Sequence, residues 1–351
     1  MQGSRDHLLT REDCPGPVGM DNSFKNYYEL YKKCELCPRK CGVDRTIGER
    51  GYCGAGTEAE VALTMIHKWE EPCISGTPDE TGERDKTGAI AHGVDRGSGT
   101  VFFAHCTLGC IYCQNYAVSR RESGSRGELK NLKKYDANGL AEEFIRLERS
   151  GAYNVNLVTP THYMPVIAEA VAVTRKAGLS VPVVYNTGGF ERPEIIKMLR
   201  GTVDIFLTDM KYLTDVTAKK YSRTGDYVKN AWEALDEMVS VTGGSPAFGD
   251  DGMLKRGVVV RHLILPGRIR AAQEIIKKLY GRFSDNIIYS LMNQYTPLSE
   301  GNPELSLYPE LLSTVNDRDY SKVVRVLESF SPEFAYIQEG GTVSESFIPE
   351  W

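Results

Sequence analysis

The chain has 351 residues, 41% of them hydrophobic and 25% charged, with a formal net charge of −5. That length buries a large core as one barrel, or as a barrel plus a small module. The charge balance gives no support to a nucleic-acid-binding protein, and no run of about 18 apolar residues offers a membrane span. The first twenty residues hold Arg5, Asp6, Arg11, Glu12 and Asp13 and no long apolar stretch, so no signal peptide is visible and a cytoplasmic protein is expected. Of nine cysteines, seven stand in two ligand-spaced groups, which in a reducing compartment favours metal binding over disulfides.

Residues 1–25 are polar and contain Cys14-Pro15-Gly16-Pro17, which reads as a loose lead with Cys14 a free thiol. Cys34, Cys37, Cys41 and Cys53 follow, spaced C-x2-C-x3-C-x11-C. Pro38, Gly42, Gly48, Gly51 and Gly54 lie among them and suit a tight metal knuckle, because glycine lets the chain turn so that amides point at sulfur. Four thiolates satisfy either tetrahedral zinc or a complete iron–sulfur cluster, and spacing does not choose between them. Val61-Ala62-Leu63 and Met65-Ile66 read as a short strand, and Trp69 to Gly76 as a packed connector holding Cys73, to which no role is given. From Pro78 to Gly97 the chain is polar and glycine-dotted, a surface loop. His67, His92 and His105 are lone histidines, which more often pack than ligate, and none is chosen as a ligand.

The apolar run Val101-Phe102-Phe103-Ala104 leads into Cys106, Cys110 and Cys113, spaced C-x3-C-x2-C. Three thiolates from one short loop can hold three corners of a cubane cluster and leave one iron open. The competing reading is three structural cysteines on zinc with a distant fourth ligand. Ferredoxin-type runs space their first cysteines by two or four, so this is not a plain electron-carrier pattern.

From residue 99 strands and helices alternate. Strands are expected at Thr100–Ala104, Asn154–Thr159, Val181–Asn186, Val203–Asp209, Val258–Leu265 and Asn286–Met292, with a last short one at Glu333–Gln338. Helices are expected at Ala137–Arg149, Pro165–Ala177, Arg192–Leu199, Tyr227–Val241, Ala271–Phe283 and Asp319–Ser329, with a polar loop at Thr214–Gly225. This pattern predicts parallel βαβ units with right-handed crossovers. Their C-terminal ends carry polar groups in Thr159-Pro160-Thr161-His162, Asn186-Thr187-Gly188-Gly189, Asp209-Met210-Lys211, Arg261-His262 and Asn293-Gln294-Tyr295. Generic turn polarity explains Asn186-Thr187-Gly188 easily. It explains Arg261 less well, since a charge flanked by Val258, Val259, Val260 and Leu263 must be paired or face a cavity.

The loop C-x3-C-x-(aromatic)-C past a strand, with Tyr112 at the aromatic position, resembles the radical S-adenosylmethionine (SAM) superfamily. The chain from 99 on resembles the activating enzymes of glycyl-radical enzymes, in particular the pyruvate formate-lyase activating enzyme-like branch. Asp209-Met210-Lys211 matches that group's D-x-K, and Arg261 with Pro266-Gly267 its R-x4-P-G. The knuckle, Ile74-Ser75-Gly76 and Asn156 to His162 resemble the branch itself. Departures are Thr159-Pro160-Thr161 where the group has Gly-Gly-Glu, Asn186 where it has Asp, and Gln294 where it has a SAM-contacting histidine.

The resemblance implies an α/β fold, a radical SAM partial (βα)6 TIM-like barrel with a small N-terminal Cys-rich metal-binding module. The expected division is a module at 1–57, a connector and loop at 58–98 and the barrel at 99–351. It implies a [4Fe-4S] cluster on Cys106, Cys110 and Cys113, whose open iron is chelated by SAM. Lys211 and Arg261 are expected to hold the SAM carboxylate, and Tyr112, Thr159, Asn186, Thr187 and Gln294 to complete the cofactor site. The expected reaction is reductive cleavage of SAM to a 5′-deoxyadenosyl radical for hydrogen abstraction, with no side chain acting as an acid–base catalyst. Expected partners are a reductant such as flavodoxin or ferredoxin and a glycyl-radical enzyme as protein substrate. The alternatives are radical modification of a peptide or small metabolite, or an iron–sulfur or zinc electron carrier or interaction protein. The last leaves the polar rim without a task.

Overall fold

The computed structural model describes residues 24–77, 96–119, 132–297 and 303–338. The expectations for Cys14, for His92 and for nearly all of the lead and of the loop from Pro78 lie outside the described residues. The strands are β1 (Ala59–His67), β2 (Gly97–Phe103), β3 (Lys133–Tyr135), β4 (Ala152–Val158), β5 (Val183–Thr187), β6 (Ile205–Asp209), β7 (Ala247–Phe248), β8 (Leu254–Leu263), β9 (Ile288–Met292) and β10 (Ala335–Ile337). The helices are α1 (Lys25–Glu29), α2 (Pro72–Ser75), α3 (Tyr116–Ser119), α4 (Ala137–Arg149), α5 (Met164–Lys176), α6 (Pro193–Met198), α7 (Asp215–Ser222), α8 (Tyr227–Thr242), α9 (Ile269–Phe283) and α10 (Asp317–Glu328).

One sheet runs β10-β9-β8-β6-β5-β4-β2-β1-β3, with β7 beside β8. From β2 to β10 along that path every pairing is parallel. The six predicted βα units are present, and β10 adds one more parallel strand. β5 and β6 are buried along nearly their whole length, as strands covered on both faces should be. β1 is longer than the sequence suggests. It pairs antiparallel with β2 and carries β3 on its other side, so the connector is part of the sheet.

The helices form where their apolar spacing says they should. In α4, Leu140, Phe144 and Leu147 make the buried stripe, and the Asp136 side chain accepts from the Gly139 amide at the N-terminus. The polar loop expected at Thr214–Gly225 is corrected: most of it is α7. Thr214 caps the Thr217 amide, and Arg223 closes the helix in the left-handed region at φ 55°. Only Ala218, Tyr221 and Ser222 of this helix are buried, a stripe too narrow to read as an apolar period.

The two faces of the sheet differ. Tyr185, Phe206, Val258, Val260 and Tyr289 face the layer of helices, in one core that also takes Tyr31 and Leu36 from the N-terminal knuckle. Val184, Ile205, Leu207, Val259 and Ile288 line the opposite, inner face, and Cys73 and Ile74 of α2 pack onto them. Each fully buried aliphatic side chain there contributes roughly 1.5–3 kcal/mol. The segment 68–77 thus fills the inner face, and that brings Glu70 and Glu71 inside the sheet.

Candidate active site

Parallel strands send their C-terminal ends to one rim. The cysteine loop leaves that rim after β2 and is pinned at several points. His105 takes φ 73°, and its Nε2 meets Glu60 Oε2 at 2.6 Å. The Glu60 carboxyl is held below its usual range first by that contact and further by Lys134. Arg39 Nε donates to Thr107 O at 2.6 Å, and the Ile111 amide to Tyr221 O at 2.9 Å.

Cys106, Cys110 and Cys113 share one neighbourhood. Burial pushes the Cys106 thiol up, and the Cys110 and Cys113 thiols push it further, while Lys211 pulls it down. The Leu108 amide donates to Cys106 Sγ at 3.4 Å, and Ser222 Oγ to Cys110 Sγ at 2.9 Å. Among the described residues, no three His, Cys, Asp or Glu side chains are already drawn together at metal-binding distance. The donor set nevertheless fits an anionic iron–sulfur cluster: three thiols surrounded by an amide, a hydroxyl and an ammonium group.

Ser222 is the end of a hydroxyl chain. Tyr112 Oη meets Tyr212 Oη at 2.7 Å, and Tyr212 in turn bonds Ser222. Cysteine sulfur accepts, so the protons align Tyr112 to Tyr212 to Ser222 to Cys110. The Tyr112 ring packs edge-on against Tyr221 and Tyr295.

On the inner face lies a charge network. The register sets Asp209 opposite Arg261 and Arg261 opposite Ser290. Arg261 Nε donates to Asp209 Oδ1 at 2.9 Å, Nη1 to Glu70 Oε2 at 3.1 Å and Nη2 to Asn186 Oδ1 at 2.7 Å. Lys211 Nζ donates to Asp209 Oδ2 at 2.5 Å. Asn156 and Asn186 both donate to Glu70 Oε1, at 3.1 and 3.3 Å. Burial alone would raise the Asp209 carboxyl, but Lys211 and Arg261 outweigh it and hold it below its ordinary value. For Glu71 burial wins over the pull of Arg261, and its carboxyl is raised. Sequence reading missed Glu70 and Glu71. They stand before Pro72 in a segment with no periodicity, and only their burial inside the sheet marks them.

The remaining predicted residues divide. Asn186 joins the network, but Thr187 points the other way, since neighbours on a strand alternate. Thr187 donates to Glu191 Oε1, as does Thr161 at 2.6 Å. Glu191 is fully buried, and burial raises its carboxyl to about 7 against the opposing pull of those hydroxyls. Thr159 sits at φ 60°, and its amide donates to Asn186 O at 2.8 Å. Gln294 accepts from Gln338 at 3.1 Å through Oε1, and its carbonyl accepts from Gln114 of the cysteine loop at 3.3 Å.

The N-terminal knuckle folds tightly and sits on the cysteine loop. Cys34 N donates to Val43 O and Gly42 N to Cys34 O, both at 2.9 Å, and the Tyr52 amide donates to Cys41 Sγ at 3.3 Å. Burial pushes the Cys37 thiol up to about 12, with Cys53 and Cys34 adding to it. The Cys53 thiol is raised by burial and by Cys34 and Cys41. The four thiols therefore act on one another. Arg39 lies 3.3 Å over the Tyr52 ring, and the Tyr52 hydroxyl crowds Gly109, leaving no room there for a Cβ.

The Radical SAM superfamily model matches residues 100–277, the stretch from β2 into α9. An uncharacterized protein of Methanocaldococcus jannaschii, MJ0674, is 24% identical over 310 residues, covering 88% of this chain and 78% of its own. Among solved structures, SuiB of Streptococcus suis bound to S-adenosylmethionine has a TM-score of 0.43 at 11% identity, over 68% of this chain and 48% of that one. HydG, a maturase of the [FeFe]-hydrogenase, has a TM-score of 0.46 at 17% identity, over 70% of this chain and 52% of that one. The chain thus spans about half the length of these two structures. No helix among the described residues is long and apolar enough to cross a membrane. The chain belongs to the radical SAM superfamily of enzymes, whose cofactors are a [4Fe-4S] cluster and S-adenosylmethionine.

Proposed function

We propose that the protein is a radical SAM enzyme of the pyruvate formate-lyase activating type, taking hydrogen from a glycine α-carbon of a protein substrate. The observation that carries this reading is the network of Asp209, Lys211 and Arg261 beside the cysteine loop. These are the D-x-K and R-x4-P-G positions that resemble the activating enzymes, and here they meet in space on adjacent strands. The bound cofactors supply a 5′-deoxyadenosyl radical by reductive cleavage of SAM. Cys106, Cys110 and Cys113 hold the cluster. Lys211, which feels the Cys110 thiol and has one carboxylate partner, is the residue best placed for the SAM carboxylate. Arg261, each of whose nitrogens already donates to a protein oxygen, supports that site by fixing Asp209 and Asn186. Tyr112, Thr159 and Gln294 complete the rim around SAM, while Thr187 lies on the other face of β5 against Glu191.

In this reading Cys34, Cys37, Cys41 and Cys53 form a second metal site, zinc or iron–sulfur, within a module at 1–57 joined by 58–98 to the barrel at 99–351. A flavodoxin or ferredoxin supplies the electron, in the reducing cytoplasm. The test is anaerobic reconstitution with iron and sulfide, reduction in the presence of SAM, and mixing with a glycyl-radical enzyme encoded beside this protein. The reading expects 5′-deoxyadenosine release, lost when Cys106, Cys110 and Cys113 become Ala, and a glycyl radical signal in electron paramagnetic resonance. Release of 5′-deoxyadenosine by the triple variant overturns the cluster assignment. Release without any glycyl radical overturns the substrate.

A further inference from the structure

Arg45 is a charge buried in an unusual place. Only 2% of it is exposed, and no carboxylate among the described residues lies within ion-pairing distance of it. Its guanidinium donates to the carbonyl of His162 at 2.7 Å and to the carbonyl of Gly56. The Tyr31 ring lies 4.3 Å from its central carbon, and its Nε has no partner. Carbonyls and a ring stabilise a cation in part. They do not replace a counter-ion, and a buried unpaired charge is costly.

The anion has to come from what else surrounds the guanidinium. Cys34 Sγ lies 3.8 Å from Nη1, and Cys53 is within reach of its field. Both belong to the knuckle. Four thiolates around a zinc ion, or around the core of a [4Fe-4S] cluster, leave two negative charges on the centre. A buried guanidinium against the sulfur is the complement such a centre needs, as outer-shell donors are for metal ligands in general.

We infer that Arg45 is the built-in counter-charge of an anionic metal–tetrathiolate centre on Cys34, Cys37, Cys41 and Cys53, holding either one zinc ion or an iron–sulfur cluster. This rests on the reading of the knuckle as a metal site. Arg45 is a positioning residue. It ties the centre to the His162 carbonyl on the barrel rim and balances its charge, so metal loss strands the cation inside the fold.

The test uses the full-length chain carrying Cys106→Ala, Cys110→Ala and Cys113→Ala, so that any bound metal belongs to the knuckle. The protein is loaded anaerobically with zinc, or with iron and sulfide, and the bound metal is counted and challenged with a competing chelator. Arg45→Met is expected to weaken retention about 10–100-fold, and Arg45→Lys, which keeps the charge, to weaken it less. If the chain with Arg45 intact binds neither zinc nor iron, the knuckle is not a metal site and the inference falls with it. If metal binds and Arg45→Met holds it as tightly, the knuckle stands and the role of Arg45 is withdrawn. Urea denaturation gives a second readout that does not need the Met variant to bind metal. Cys34→Ser with Cys37→Ser should destabilise the chain, and adding Arg45→Met should recover part of the loss. No recovery overturns the inference.

Discussion

Glu70 and Arg261 meet at 3.1 Å inside the sheet, although they stand 191 positions apart in the chain. Glu70 also accepts from Asn156 and Asn186, so one carboxylate ties three strands to the segment that fills the inner face. Only 10% of the Glu70 side chain and 15% of the Arg261 side chain are exposed, so water does little to screen the pair. Without Glu70, Arg261 keeps Asp209, but its Nη1 and the amides of Asn156 and Asn186 lose their shared acceptor. Glu70→Ala should therefore destabilise the fold by about 1–3 kcal/mol, whereas Glu70→Gln, which keeps an acceptor, should cost less. Urea denaturation of the two variants checks this. Equal and small losses would mean that the pair is screened after all.

Lys211 and Arg261 should separate in their effects. Lys211 has one carboxylate partner, and Asp209 keeps Arg261 when Lys211 is lost. Lys211→Met is expected to lower SAM affinity roughly ten- to over a hundredfold, the worth of one charged hydrogen bond, with the melting temperature nearly kept. Arg261→Met leaves Asp209, Glu70 and Asn186 without their common donor and should lower the melting temperature strongly. Equilibrium SAM binding on the folded fraction, with calorimetry alongside, tests the split. If Lys211→Met leaves SAM affinity unchanged, Lys211 belongs to the ion network alone.

Ser222 should tune the cluster. Its hydroxyl donates to Cys110 Sγ at 2.9 Å and lies fully buried. A hydrogen bond to a cluster sulfur favours the reduced, more negative state. Ser222→Ala should move the cluster midpoint to a more negative potential without removing iron. A redox titration followed by electron paramagnetic resonance reads this directly, and an unchanged midpoint would show that the contact is structural only.

Much of this was legible in the residues. The spacing of Cys106, Cys110 and Cys113 after an apolar run marks the loop, and strand-helix alternation marks the sheet, because both are local patterns. Arg261 could be flagged as needing a partner, since a charge between valines is costly anywhere. Its partner could not be named. Glu70 reaches it through a segment of no period, and pairing across the whole chain is a property of the fold. Asn186 and Thr187 were adjacent in sequence and grouped together, yet strand alternation puts one on the inner face and the other against Glu191. Only knowing which face is which separates them. α7 is not legible in the sequence, because only Ala218, Tyr221 and Ser222 of it are buried, too thin a stripe to show a helical period.

Glu191 gives the fold a pH dependence of its own. It is fully buried, Thr161 and Thr187 both donate to its Oε1, and burial raises its carboxyl from 4.5 to about 7. The folded state thus binds this proton more tightly than the unfolded chain does. The stabilisation is complete below about pH 4.5 and is lost as pH rises through about 7. Across that window the group's contribution falls by roughly 1.4 kcal/mol per pH unit, or up to about 3 kcal/mol in all. Glu191→Gln keeps a carbonyl oxygen to accept from both threonines and carries no charge. The variant should match the parent near pH 5, lose little stability by pH 8 and be the more stable of the two there. Urea midpoints measured from pH 5 to pH 8 decide it. Parallel curves for parent and variant would show that Glu191 stays ionised in the folded protein and that its burial is compensated by a partner.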